Sequence, residues 1–228
     1  MNLAASLDSA PSPAAAPDLQ RKRAPLQPRA VETFERILSA CAELLGEIGI
    51  ERLSTNLVCQ RAGISPPALY QYFPNKYAIL HELSLRLMAQ QNHLLRPFAV
   101  PETFGLSEPE FACGVAQLLT QMHELTEKAP AGIWVTRALR AVPALQPVRL
   151  QSSDAVTDLL LEPLMAAHPK VDRARARLSL RLMFDSLYAA HEVLFDDPKL
   201  EVAAVAETMG EMVAGEVMRL IASASAKR

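Results

Sequence analysis

Aromatic residues make up only 5% of this 228-residue chain, although half of it is hydrophobic. Leu and Ala supply most of the apolar mass, and no stretch alternates apolar and polar residues as a strand would. A sheet is therefore excluded, and the composition is that of packed helices. Cysteine is scarce too. Cys41, Cys59 and Cys113 lack a CxxC spacing and are odd in number, which excludes a disulfide framework and suits core thiols in a reducing cytoplasm. No run approaches the ~20 apolar residues of a membrane span. The first thirty residues hold no apolar stretch of signal-peptide length. The expectation is an all-α, cytoplasmic protein without a membrane partner.

Charge of one sign is also missing. The net charge is −2, and residues 1–90 hold nine basic side chains against eight acidic ones, so charge alone does not mark a nucleic-acid binder. No paired acid and base, nucleophile elbow, P-loop or metal constellation is present. His123, His168 and His191 lie far apart without a ligand spacing. The chain is expected to be no enzyme and to need neither metal nor cofactor.

What remains is organised by proline and by apolar periodicity. Residues 1–29 are rich in Ala, Pro and Ser and cannot bury enough surface to offset ordering entropy, so they read as a disordered leader. Its "RKR" cluster reads as solvated, with an arm reaching DNA as the alternative. A helical stripe then runs through Phe34, Ile37, Leu38, Cys41, Leu44, Leu45 and Ile48 to a stop at Gly49. A short helix follows over about 54–62, with Leu57 and Val58 inward, and Gly63 breaks it. Ser65 is placed to cap a third helix entered through Pro66. Pro74 ends that helix, and Asn75 caps a fourth running to Arg96. Pro97 and Pro101 mark a second segment, with helices expected at about 108–128, 133–141, 148–167 (interrupted at Pro163), 172–195 and 200–224.

Three short helices joined by a Gly turn outline a helix-turn-helix. In "SPPALYQYF", Leu69 and Phe73 are four apart and face inward. Pro66, Pro67, Ala68, Tyr70, Gln71 and Tyr72 are left for the outside. Tyrosine hydroxyls can bond phosphate, glutamine can read adenine, and small apolar groups can meet thymine methyls. Lys76, opening the fourth helix, is placed to grip a phosphate.

The run "LSTNLVCQRAGISPPALYQYFPNKYAILHEL" resembles the DNA-binding domain of the TetR family of bacterial transcriptional regulators, over about residues 30–90. The resemblance implies phosphate contacts from Thr55, Tyr70 and Lys76. It implies base or nearby backbone contacts from Asn56, Pro66, Pro67, Ala68, Gln71 and Tyr72; Ser65 is a further DNA-binding candidate. Pro66-Pro67 departs from the Lys-Gly or Arg-Gly pair commoner in the family, which shifts recognition toward Gln71 and DNA shape.

Residues 91–228 then read as a ligand-binding and dimerisation domain. Met122, Trp134, Arg137, Met183, Phe184, Tyr188 and His191 are candidates to line an effector pocket. "RARARLSLR" (173–181) reads as the solvated face of a dimer helix rather than a nucleic-acid patch. Small residues in "VAAVAETMGEMVAG" assign the last two helices to a homodimer interface. Double-stranded DNA with a palindromic operator, a second copy and a small-molecule effector are the partners implied. The leading reading is a repressor released by that effector; the alternative is an architectural or protein-regulated DNA-binding factor without a pocket.

Overall fold

The computed structural model describes residues 17–225, which are helical with no strand among them. The N-terminal unit holds α1 (Pro28–Arg52), α2 (Thr55–Ala62), α3 (Pro66–Tyr70) and the start of α4 (Lys76–Leu94). α5 (Glu108–Lys128), α6 (Gly132–Ala141), α7 (Gln146–Ala167), α8 (Arg173–Asp196) and α9 (Val202–Ser225) build the rest. Of the expected leader, residues 1–16 lie outside the described residues. Residues 17–27 carry no helix, and α1 begins at Pro28, inside the expected leader.

Apolar spacing decides each face. Phe34, Ile37, Leu38, Cys41 and Leu45 of α1 are all but fully buried, and Phe34 stacks on Phe73 at 5.0 Å between ring centroids. Gly49 breaks the helix at φ 71°, and Ile50–Arg52 form a last turn beyond it. α2 buries Val58, Cys59 and Ala62, whereas Leu57, expected inward, is exposed. Burial pushes the Cys41 thiol up to about 12 and raises that of Cys59 as well, which suits inert core groups.

In the C-terminal unit α5 lies along α9, and α7 along α8. α9 comes close because Gly210 faces α5; a Cβ there would stand 2.4 Å from the Ala112 carbonyl oxygen. Ala206, Gly210 and Ala214 are buried. Three of the small residues expected at a dimer interface are thus used within one protomer, Gly210 directly against α5. Three of the four arginines of 173–181 are also engaged within the protomer. Arg173 pairs with Glu162, Arg177 with Asp158, and Arg181 with Asp154 at 2.8 Å, so an ion-pair ladder joins α8 to α7. Pro163 does not interrupt α7, which runs through it to Ala167. The single backbone bond forfeited is one the rest of a 22-residue helix outweighs.

Candidate nucleic-acid interface

The helix-turn-helix is built from the turn outward. Ser54 caps α2, its Oγ accepting from the Leu57 N–H at 3.3 Å. Gly63 ends that helix in the left-handed region, φ 63°, where a side chain would be strained. From α1 the Arg36 guanidinium donates to the carbonyls of Ala62 and Gly63, fixing the corner from behind. The chain then enters α3 at Ser65.

The expected side-chain cap at Ser65 does not form. Pro66 and Pro67 occupy the first two positions and have no N–H to offer, so the Ser65 carbonyl takes the bonds from Ala68 (3.0 Å) and Leu69 (3.2 Å). The Ser65 hydroxyl carries no such duty, and Ser65, Pro66 and Pro67 are exposed. Leu69 and Phe73 are completely buried and anchor the helix.

Tyr70 is 40% exposed and Gln71 is exposed beside it, as the pattern requires. Tyr72 is not. It is 8% exposed and packs edge-on against Phe34, with ring centroids 5.8 Å apart. Its place three residues after Leu69 turns it toward α1, and bulk on that side is worth more in the core than in solvent. Tyr70 Oη lies 3.1 Å from Thr55 Oγ1, so the two groups expected at phosphate already touch across the turn. Asn56 is exposed next to them.

Lys76 is held elsewhere. Its ammonium donates to the carbonyls of Ile50 (3.0 Å) and Leu53 (2.9 Å), closing the end of α1. These are two of the carbonyls a helix end leaves without partners.

Residues 37–83 match the family model described as bacterial regulatory proteins, tetR family. Over this N-terminal segment the chain is similar to the TetR family. The class D tetracycline repressor protein of Escherichia coli is 37% identical over 65 residues, 28% of this chain and 30% of that protein. The class A protein from transposon 1721 is 39% identical over 57 residues, 25% of this chain and 26% of that protein. The match thus spans about a third or less of the curated relatives' length. Solved structures extend the likeness in fold. SmeT, the repressor of the Stenotrophomonas maltophilia multidrug efflux pump SmeDEF, superposes with a TM-score of 0.63 at 14% identity, over 81% of this chain and 91% of its own. The fatty acid degradation regulator FadR from Bacillus halodurans gives 0.56 at 18% identity, over 80% and 95%.

The second unit of the chain holds an apolar cavity of about 80 Å³. Leu95, Phe98, Phe104, Phe111, Met183 and Phe184 are among its walls, and Thr103 is the polar residue there. Met183 and Phe184, two of the seven expected pocket residues, line this cavity. Leu95, Phe98, Phe104 and Phe111 were not among the candidates, and three of them are phenylalanines in or just after the Pro97–Pro101 break. Met122 is core. Trp134 is 37% exposed and lies by Gly46 of α1, while Arg137 stacks on it at 5.1 Å and pairs with Asp196 at 3.1 Å. Both sit outside the cavity because α6 turns that face to α1 and the end of α8.

Tyr188 and His191 lie further along α8 and do not wall the cavity. The Tyr188 hydroxyl and both His191 ring nitrogens are buried without a hydrogen-bond partner among the described residues. Burial lowers the His191 pKa to about 4, helped by neighbouring His123. Glu192, on the same helix, is raised by burial against the pull of Arg140, whose Nε stands 2.5 Å from its carboxylate.

Proposed function

We propose that this chain is a homodimeric, effector-responsive DNA-binding regulator that represses transcription from a palindromic operator. The observation that carries this is α3. A short helix clamped by Leu69 and Phe73 presents Ser65, Pro66, Pro67, Tyr70 and Gln71 outward on a TetR-type scaffold. In this reading Tyr70, Thr55 and the Ser65 hydroxyl meet the backbone, and Gln71 with Asn56 meets base edges. One such helix makes too few contacts for tight binding, so two copies read successive major grooves about 34–36 Å apart.

The outward apolar side chains that support a dimer are Leu178 and Leu182 of α8 and Met212 of α9, each more than half exposed. They form the proposed four-helix interface with a second copy. The cavity supports an apolar effector and speaks against a factor without a pocket. At about 80 Å³ it is smaller than the roughly 150 Å³ known to admit benzene, so a ligand must push its walls apart. Leu95, one of those walls, caps α4 at its C-terminus, and α4 begins at Lys76, which is tied to the end of α1. An effector favouring the spread conformer would weaken operator binding by its differential affinity for that conformer.

The test is fluorescence anisotropy of the purified chain with duplex from upstream of its own coding sequence. Saturable binding stronger than to scrambled duplex supports the reading, and equal binding to both refutes it.

A further inference from the structure

A major-groove reader needs cations facing phosphate, because neutralised phosphates supply most of the sequence-independent affinity. Residues 17–90 contain nine Lys and Arg side chains. Six are committed internally. Arg21 pairs with Glu82, Arg61 with Glu43 and Glu47, and Arg86 with Glu35 and Glu82. Arg36, Arg52 and Lys76 donate to main-chain carbonyls. The three whose side chains carry no such bond among the described residues are Lys22, Arg23 and Arg29, all exposed.

Their position is not arbitrary. Residues 18–22 lie against the reading head. The Lys22 N–H donates to the Tyr72 carbonyl at 2.8 Å, Asn75 Nδ2 donates to the Asp18 carbonyl at 2.9 Å, and Arg21 reaches Glu82 at 3.7 Å. This seating leaves a polar groove of about 410 Å³ whose walls include Arg23, Arg29, Gln27 and Thr33 on one side and Gln71 with Tyr72 on the other. Two uncommitted guanidiniums thus share a cleft with the residue expected to read a base. Among the described residues, no carboxylate lines it.

We infer that this groove is a second nucleic-acid subsite, in which Arg23 and Arg29 clasp the phosphate backbone flanking the bases met by Gln71, with Lys22 adding charge at its edge. The groove, rather than Lys76, supplies the electrostatic grip of the domain. Guanidiniums suit this task because their fork matches phosphate oxygens. The subsite rests on the DNA-binding reading above, and it assigns a task to the "RKR" cluster that the helix-turn-helix leaves unused.

The experiment measures affinity for own-promoter duplex and for scrambled duplex across a salt series, with the full chain and with Arg23→Ala/Arg29→Ala. Each phosphate no longer neutralised should flatten the log–log salt dependence by about 0.9, so roughly 3.6 for a dimer that lets go of four. Affinity should fall at least about tenfold on both duplexes alike, since such contacts carry no sequence information. Lys76→Met is the companion variant, expected to lower thermal stability while leaving the slope unchanged. An unaltered slope in the double variant, with wild-type binding intact, overturns the subsite alone. Failure of the wild-type chain to bind either duplex overturns the subsite together with the reading beneath it.

Discussion

Tyr70 at the end of α3 and Tyr72 just beyond it have opposite fates, and substitution should separate them. Tyr70→Phe removes a hydroxyl that touches Thr55 and stands free for a phosphate. It should leave folding intact and weaken binding to all duplexes alike, as anisotropy on operator and scrambled DNA will record. Tyr72→Ala removes a ring packed on Phe34 and should cost about 3–5 kcal/mol of stability in a denaturant melt. Gln71→Ala should instead change preference at one half-site position by about 1–3 kcal/mol, read from a panel of single-base operator variants. His191 makes stability depend on pH. Its folded pKa of about 4 lies below the ordinary value of 6.5, so the unfolded chain binds the extra proton first. Stability is therefore full above pH 6.5, falls as pH drops toward 4, and levels below that. The loss is on the order of 3 kcal/mol. Urea midpoints at pH 7 and pH 5 should differ less in His191→Phe than in the wild-type chain.

At the scale of elements, much was legible because helices announce themselves through caps and periodicity. α5 falls on the expected 108–128, and Ser54, Gly63 and Asn75 act as their types suggest. What the sequence could not convey was which neighbour a face meets. The small residues of α9 show close packing but not that α5 is the partner. The alternating arginines of α8 show a charged face but not the acids at 154, 158 and 162 that meet it. Lys76 sits where a phosphate ligand would be sought, and only the fold brings Ile50 and Leu53 to it. The cavity was missed for the same reason: its walls come from separate helices and the Pro97–Pro101 break. Gly210→Leu tests the α5–α9 packing. The side chain has no room against Ala112, and a drop in melting temperature equivalent to about 1–3 kcal/mol is expected.

For the whole molecule, the unpaired apolar side chains Leu178, Leu182 and Met212 bear on assembly. Leu178→Glu/Leu182→Glu introduces charges at exposed positions, so each protomer should keep its helical circular dichroism. Light scattering should report the monomer mass, and operator affinity should collapse while scrambled-duplex binding persists at a weak level. Retention of the dimer mass would move the interface to another surface.

The Lys76 clasp has a mechanical consequence. A helix of 19 residues spans about 28 Å, a stiff rod hinged to the reading head by two hydrogen bonds at one end and reaching the oily chamber at the other. A tilt of that rod hauls the tail of α1 with it, and the three packed helices swing as one block. Under the proposed function, release from DNA would alter the gap between two intact heads and leave each head's shape untouched.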